Sequence, residues 1–152
     1  MYTLHREQYV TAKLAEAWDL LKNPANLNLI TPPDLQFKIV SPVPKKMFNG
    51  LIIEYHIRIP WFGVRKWVAE IKHIREMYAF VDEQRIGPYS FWYHYHQIDQ
   101  ENSQLKLTDR VYYKVPYGIF GRFLHFLFIR RTLERIFRYR NEKLHELLNK
   151  DY

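Results

Sequence analysis

Residues 118–150 read GIFGRFLHFLFIRRTLERIFRYRNEKLHELLNK, and the fold is decided by how this stretch is read. It holds no proline and, after Gly121, no glycine, so it is the one segment able to run as a single long helix, from Ile119 to Lys150. Phe123, Phe126, Leu133, Phe137, Leu144 and Leu148 recur at three, four or seven residues and form one apolar stripe. Arg130, Arg131, Arg135, Arg138, Lys143 and Glu146 occupy the other faces. A helix of this length needs a broad apolar surface to lie on, and almost everything before it reads as strand. The expectation is an α+β fold in which a curved antiparallel sheet wraps around one C-terminal helix.

Upstream, Tyr2–Val10 reads as a first strand. Thr11 is placed to cap a helix over Ala12–Lys22, which Asn23-Pro24 ends. Pro24–Leu29 reads as a second short helix, stopped by Thr31-Pro32-Pro33. Strands are then expected at Leu35–Val40, Leu51–Ile59, Val64–Ile74, Tyr78–Gln84, Tyr89–Ile98 and Gln104–Val115. Turns fall at Pro60–Gly63, Arg85–Pro88 and Asp99–Ser103, and Pro116-Tyr117-Gly118 releases the chain into the long helix. With 152 residues and no repeat or linker, one domain over 1–152 is expected.

Strand alternation assigns the inner face. In the last strand Leu105, Leu107, Val111, Tyr113 and Val115 share one side, and Asp109 sits among them where an apolar residue is expected. A hairpin at Asp99–Ser103 places His94 opposite Asp109 and Trp92 opposite Val111, so that Trp92, His94, His96 and Ile98 face inward. The Gly87-Pro88 turn sets Asp82 near Trp92 and Phe80 near His94, with Gln84 on the same side. Trp67, Ala69 and Ile71, then Ile53, Tyr55 and Ile57, continue the wall. Asp82, Gln84, His94, His96 and Asp109 are costly on a core face unless each has a partner. Two readings stand, and they are compatible. In one, Asp109 holds His94 while Asp82 holds the Trp92 indole or an arginine of the helix. In the other, these groups are the polar end of a cavity for a mostly apolar ligand.

Several motifs carry a resemblance. Trp67…Ile71, Phe80-x-Asp82-x-Gln84-x-x-Gly87-Pro88-Tyr89, Trp92-x-His94-x-His96, Thr108-Asp109-x-Val111-x-Tyr113, Pro116-x-Gly118 and Ile136-Phe137-x-Tyr139-Arg140 resemble the START-like, helix-grip (SRPBCC) superfamily. Within it the chain is similar to the bacterial polyketide cyclase/dehydrase-like, coenzyme-Q-binding-like branch, from about Tyr2 to Leu148. The resemblance implies a seven-stranded antiparallel sheet gripping the C-terminal helix around a deep hydrophobic cavity. It implies binding or transport of a lipid, quinone or polyketide-like molecule, or in some members an enzyme acting on a bound polyketide. Trp67, Phe80, Trp92, Val111, Phe126 and Leu133 would then enclose the ligand, and Asp82, Gln84, His94, His96, Asp109, Tyr55 and Tyr113 would orient its polar group.

His94 and Asp109 are the candidate catalytic pair for a cyclase or dehydratase, with no nucleophile or oxyanion motif beside them. A His94-x-His96 pair with Asp109 reaches the ligand count of zinc only if all three converge, and no metal or cofactor is expected. The absence of cysteine excludes thiolate chemistry and fits a reducing compartment. MYTLHREQYV lacks the apolar core of a signal peptide and no apolar run spans a bilayer, so a soluble, cytoplasmic protein is expected. The net charge of +7 lies largely on the last helix, and no nucleic-acid motif accompanies it. Phe120, Leu124, Leu127 and Phe128 lie off the main stripe beside Arg122, Arg130 and Arg131. They suit a peripheral membrane contact or a homodimer patch, and Trp61 and Phe62 at a hairpin tip extend that expectation.

Overall fold

The structure is a computed structural model that describes residues 1–149. Seven antiparallel strands form one sheet: β1 Tyr2–Val10, β2 Lys38–Ile39, β3 Leu51–Ile59, β4 Gly63–Arg75, β5 Ala79–Ile86, β6 Phe91–Glu101 and β7 Gln104–Lys114. Their spatial order is β1-β7-β6-β5-β4-β3-β2, so consecutive strands pair except where β1 crosses to β7. Between β1 and β2 lie α1 (Leu14–Lys22) and two 3₁₀ segments, Pro24–Ile30 and Pro33–Leu35. The chain closes with α2 (Gly118–Leu124), a π-helical turn (His125–Ile129) and α3 (Arg130–Leu148).

The alternation read in the sequence holds: Trp92, His94, His96 and Ile98 on β6 and Leu105, Leu107, Asp109, Val111 and Tyr113 on β7 are all buried. Their register differs. The β6–β7 turn is Asn102-Ser103 alone, with Glu101 opposite Gln104, because Asn102 accepts the left-handed backbone (φ 56) that a tight turn requires. Every partner therefore slides by two: His94 faces Val111, His96 faces Asp109 and Trp92 faces Tyr113. A separate slide of two residues at the β5–β6 turn puts Asp82 opposite His94 and Phe80 opposite His96. A two-residue slip preserves the face, so the inward set survives the change in pairing. Register shifts along β4 and β5, with His73 at φ 55, mark bulges that bend the sheet around the helix.

Three other expectations change. The segment Leu35–Val40 supplies only the two-residue β2, because Pro33 starts a 3₁₀ turn that runs through Leu35. Thr11 does not cap α1, which begins after Lys13; its backbone N–H instead donates to Asn149 Oδ1 at 2.5 Å. Along the C-terminal helix, Leu133, Phe137, Leu144 and Leu148 are buried as the stripe requires, but Phe123 and Phe126 are exposed. The π turn adds one residue, so the inward positions upstream become Gly121, His125 and the half-buried Ile129. Lys150, the last residue of the expected helix, lies outside the described residues.

The core is in two parts. One joins α1 and the lower sheet, with Trp18, Ile53, Ile71, Phe80, Leu107 and Leu144 among its members. The other joins Trp67, Trp92, Val111, Leu133 and Phe137. Between them lies a polar layer: His96 stacks on Phe80 at 4.2 Å, and His94 meets the edge of Phe137 at 5.3 Å.

Candidate functional site

Four strand residues and one helix residue build the polar layer. His94 lies between two carboxylates, with Nε2 at 2.8 Å from Asp109 and Nδ1 at 3.2 Å from Asp82. The hydrogen bond to Asp109 and the nearby Asp82 carboxylate both favour the protonated form of this ring. Arg140 from α3 donates through Nε to Asp109 at 3.0 Å and through Nη2 to His96 Nδ1 at 3.2 Å. A guanidinium only donates, so His96 Nδ1 accepts, and its Nε2–H donates to Asp82 at 2.5 Å. The Trp92 indole also donates to Asp82, at 3.3 Å. Two carboxylates thus face one guanidinium and two histidine rings.

The electrostatics follow. Burial resists charge on Asp109, but the Arg140 charge and the hydrogen bond from His94 hold its carboxyl well below the usual range. Burial likewise opposes ionisation of Asp82, and the charge and hydrogen bond of His94, joined by those of His96, lower it far further. For His94, burial disfavours the charge, yet the neighbouring Asp82 charge and the bonds to Asp109 and Asp82 raise its pKa above the ordinary histidine value.

Beside this layer, between sheet and helix, is a cavity of about 190 Å³. Ile53, Tyr55, Ala69, Trp92, Leu133 and Phe137 are representative of its apolar wall, and Asp82, His94, His96 and Arg140 form its polar side. Arg58 and Ile59 at the end of β3 with Pro60 after it, Leu27 of the first 3₁₀ segment with Thr31 after it, and Thr132 and Ile136 from α3 also line it. Burial, then the Asp82 charge, raises the Tyr55 hydroxyl well above its ordinary pKa and keeps it a neutral phenol.

Of the residues expected at a ligand, Tyr55, Trp67, Phe80, Asp82, Trp92, His94, His96 and Leu133 line this cavity. Asp109 stands behind the histidines and orients them. Gln84 turns away to tie the β5–β6 turn, donating to the Tyr89 carbonyl at 2.7 Å and accepting from its N–H at 3.2 Å. Val111 is fully buried in the second core cluster. Tyr113 points to the other side of that cluster, where its hydroxyl shares a hydrogen bond with His125 Nε2 at 2.8 Å and burial pushes its pKa up to about 12. Phe126, displaced by the π turn, is 76% exposed. Arg140 and Tyr89 are site residues that the sequence reading did not assign. Position 140 falls on the buried stripe, three residues after Phe137 and four before Leu144, so periodicity alone marks that arginine as inward.

Asp82, His94 and His96 bring one potential metal-ligand atom each to within 4.8 Å of one another. Arg140 counts against an ion there: it fixes the His96 proton on Nε2, the nitrogen that would have to coordinate. Both nitrogens of His94 are likewise engaged, which leaves this ring no free site for proton transfer to a substrate.

The outer side of this end is apolar and basic. Trp61, at the β3–β4 turn with φ 71, is 85% exposed and meets the Phe128 ring at 6.0 Å. Ile119, Phe120, Phe123 and Phe126 are exposed along α2 and the π turn. From Pro116 to Arg131 the chain carries Arg122, Arg130 and Arg131 and no acidic residue. Among the described residues, no helix is long and apolar enough to cross a membrane.

This architecture is the helix-grip α+β fold of START-like and Bet v 1-like proteins: an antiparallel sheet closed around a long C-terminal helix. A protein from Chromobacterium violaceum superposes with a TM-score of 0.75 over 99% of this chain and 100% of its own, at 10% identity. A START superfamily protein from Mycobacterium smegmatis matches with a TM-score of 0.69 at 11% identity, covering 97% of this chain and 99% of its own. Ginseng major latex-like protein 151 from Panax ginseng gives 0.70 at 12% identity, covering 98% of each chain. No family model and no curated protein sequence matches.

Proposed function

We propose that this protein binds a small hydrophobic molecule between its sheet and C-terminal helix, as a carrier rather than a catalyst. The observation that carries this reading is the cavity itself, apolar on most sides and polar on one. An apolar cavity of about 150 Å³ admits benzene, so about 190 Å³ suits one or two rings or a short chain. A lipid, isoprenoid quinone or polyketide-like molecule would place its compact end inside and lead any long tail out past Pro60 and Ile136. Burying about 250 Å² of such a ligand contributes about 6 kcal/mol before the loss of its freedom is counted. The cyclase or dehydratase alternative has less support, because His94 is held at both nitrogens. Native mass spectrometry of gently purified protein, with thermal shift against small aromatic and short-chain ligands, tests the proposal. A co-purified or stabilising apolar ligand is expected; an empty protein that no compound stabilises would refute it.

A second reading concerns where the ligand is exchanged. Trp61 adjoins Pro60, which lines the cavity, and Phe128 precedes Thr132 by one helical turn, so the exposed aromatic and basic surface lies beside the cavity mouth. Exposed rings flanked by Arg122, Arg130 and Arg131 suit an anionic bilayer surface, with the rings at headgroup level. The protein would then be cytoplasmic and peripheral, and a homodimer through the same patch is the competing occupant.

A further inference from the structure

The polar layer leaves one strong donor open. Arg140 is 7% exposed and lines the cavity. Its Nε donates to Asp109 at 3.0 Å and its Nη2 to His96 Nδ1 at 3.2 Å. Among the described residues Nη1 has no acceptor, yet it keeps accessible surface on the cavity side. Trp67 Nε1 is unpaired too, but it is sealed inside the wall, where no ligand reaches it. The hydroxyls of Tyr55, Tyr89 and Thr132 on the same lining also have no partner among the described residues. A hydroxyl turns about its C–O bond and both gives and takes, and a helical threonine can bond the carbonyl one turn back, so these three do not dictate what they meet. A guanidinium only donates and stays charged, so an open Nη1 in an interior calls for an oxygen acceptor. An apolar ligand that fills the cavity shuts Nη1 off from solvent; unless it carries that acceptor, a charged donor is left unpaired at a cost.

We infer that Arg140 Nη1–H anchors the buried end of the ligand, and that this end is a neutral carbonyl oxygen, as in a ketone or an ester. The inference rests on the ligand-binding reading and adds to it the residue that selects the ligand. A carboxylate fits less well. His96 Nδ1 accepts from Arg140, so the positive charge of the layer is that of Arg140 and, when protonated, His94; Asp82 and Asp109 equal both together. An entering anion would leave the layer net negative, and it would also meet Asp82, whose side chain is 20% accessible on the same wall. Among neutral groups a carbonyl oxygen accepts on two lone pairs and brings no proton that needs a partner of its own.

The test uses isosteric probes of suitable size. Isothermal titration compares 2-acetylnaphthalene, 2-isopropenylnaphthalene, in which a methylene replaces the carbonyl oxygen, and 2-naphthoate. The proteins are wild type, Tyr55→Phe, and the Asp109→Asn, Arg140→Met double variant, in which loss of the guanidinium strands no carboxylate at position 109. The ketone is expected to bind wild type and Tyr55→Phe about tenfold more tightly than the alkene, and the two to bind the double variant within about twofold of each other. Naphthoate is expected to bind wild type more weakly than the ketone. Should the double variant fail to fold, the carbonyl stretch of the bound ketone serves instead; in wild type and in Tyr55→Phe it should lie below its frequency in dry hydrocarbon solvent. Equal wild-type affinity for ketone and alkene, a preference lost in Tyr55→Phe or kept in the double variant, or a carbonyl stretch as in hydrocarbon would each overturn the Arg140 assignment while leaving the cavity reading intact. Tighter binding of naphthoate would overturn the neutral-ligand assignment. Failure of all three probes to bind would remove both.

Discussion

Replacing Asp109 by asparagine isolates the group on which the polar layer depends. The carboxylate accepts from His94 at 2.8 Å and Arg140 at 3.0 Å, and its side chain is 7% accessible. Asparagine keeps the shape but removes the charge, leaving the buried Arg140 guanidinium without its carboxylate partner. Breaking a buried pair by deleting one partner costs about 3–5 kcal/mol, a large share of a typical stability of about 5–15 kcal/mol. With a urea slope of about 2 kcal/mol per molar, the unfolding midpoint should fall by about 2 M.

The charge argument is separable from packing through a double-mutant cycle with Arg140→Met. That single change strands Asp109 in the same way and should cost a similar amount. The Asp109→Asn, Arg140→Met double variant buries no unmatched carboxylate at this position, so it should be more stable than the sum of the two losses by at least about 2 kcal/mol. Urea unfolding followed by circular dichroism measures all four proteins. Additive losses, or single losses below about 1 kcal/mol, would refute the claim that Asp109 is held as a buried anion by Arg140 and His94.

The remaining expectations concern pH, packing and surface. His94 has a raised pKa in the fold, so its contribution is full below the ordinary histidine value of about 6.5 and is lost as pH rises through the raised value. Asp82 and Asp109 are depressed, so theirs is present above the ordinary carboxylate range and lost as pH falls through the lower values. Unfolding measured from pH 3 to 10 should show that the stability gap between wild type and His94→Gln narrows toward the alkaline end; a gap that widens there contradicts the assignment. Gly121→Ala should lower the melting temperature by several degrees, since its Cβ would lie 1.8 Å from the Pro116 carbonyl oxygen, and a neutral effect would show that the contact relaxes freely. Wild-type protein should float with vesicles rich in phosphatidylglycerol and not with phosphatidylcholine alone. Trp61→Glu with Phe128→Glu should abolish flotation while leaving the melting temperature within a few degrees; unchanged flotation, or dimerisation with no vesicle binding, removes the bilayer reading.

How much of this was legible from sequence depended on whether a side chain's face or its partner was being read. Alternation fixed which residues of β6 and β7 point inward, because a period of two is indifferent to a slip of two. The turn at Asn102-Ser103 was not read as the tight one, so His94 and Asp109 were paired across the ladder when they instead meet through their side chains. Tyr113 and Val111 show the limit of the same rule: both face inward, yet one belongs to the contact with His125 and the other to a filled part of the core. Alternation separates inside from outside and does not locate a void within the inside. Arg140 was left without a role for another reason: an arginine of the helix was expected near Asp82 but not identified, although position 140 is the one on the inward stripe.

The π turn explains why one helix can serve two surfaces. Had α-helical periodicity continued unbroken, Phe123 and Phe126 would have extended the stripe of Leu133 and Phe137 onto the sheet. One inserted residue rotates them outward by about 100° and brings Gly121 and His125 inward. His125 then bonds Tyr113 and stacks on Tyr2 at 3.5 Å, anchoring the rotated segment to β7 and β1. The expelled phenylalanines are released to solvent only because this histidine and glycine fill the inward places. A Cβ at position 121 would meet the Pro116 carbonyl, so the glycine there is what lets the rotated segment seat inward while the apolar rings face out.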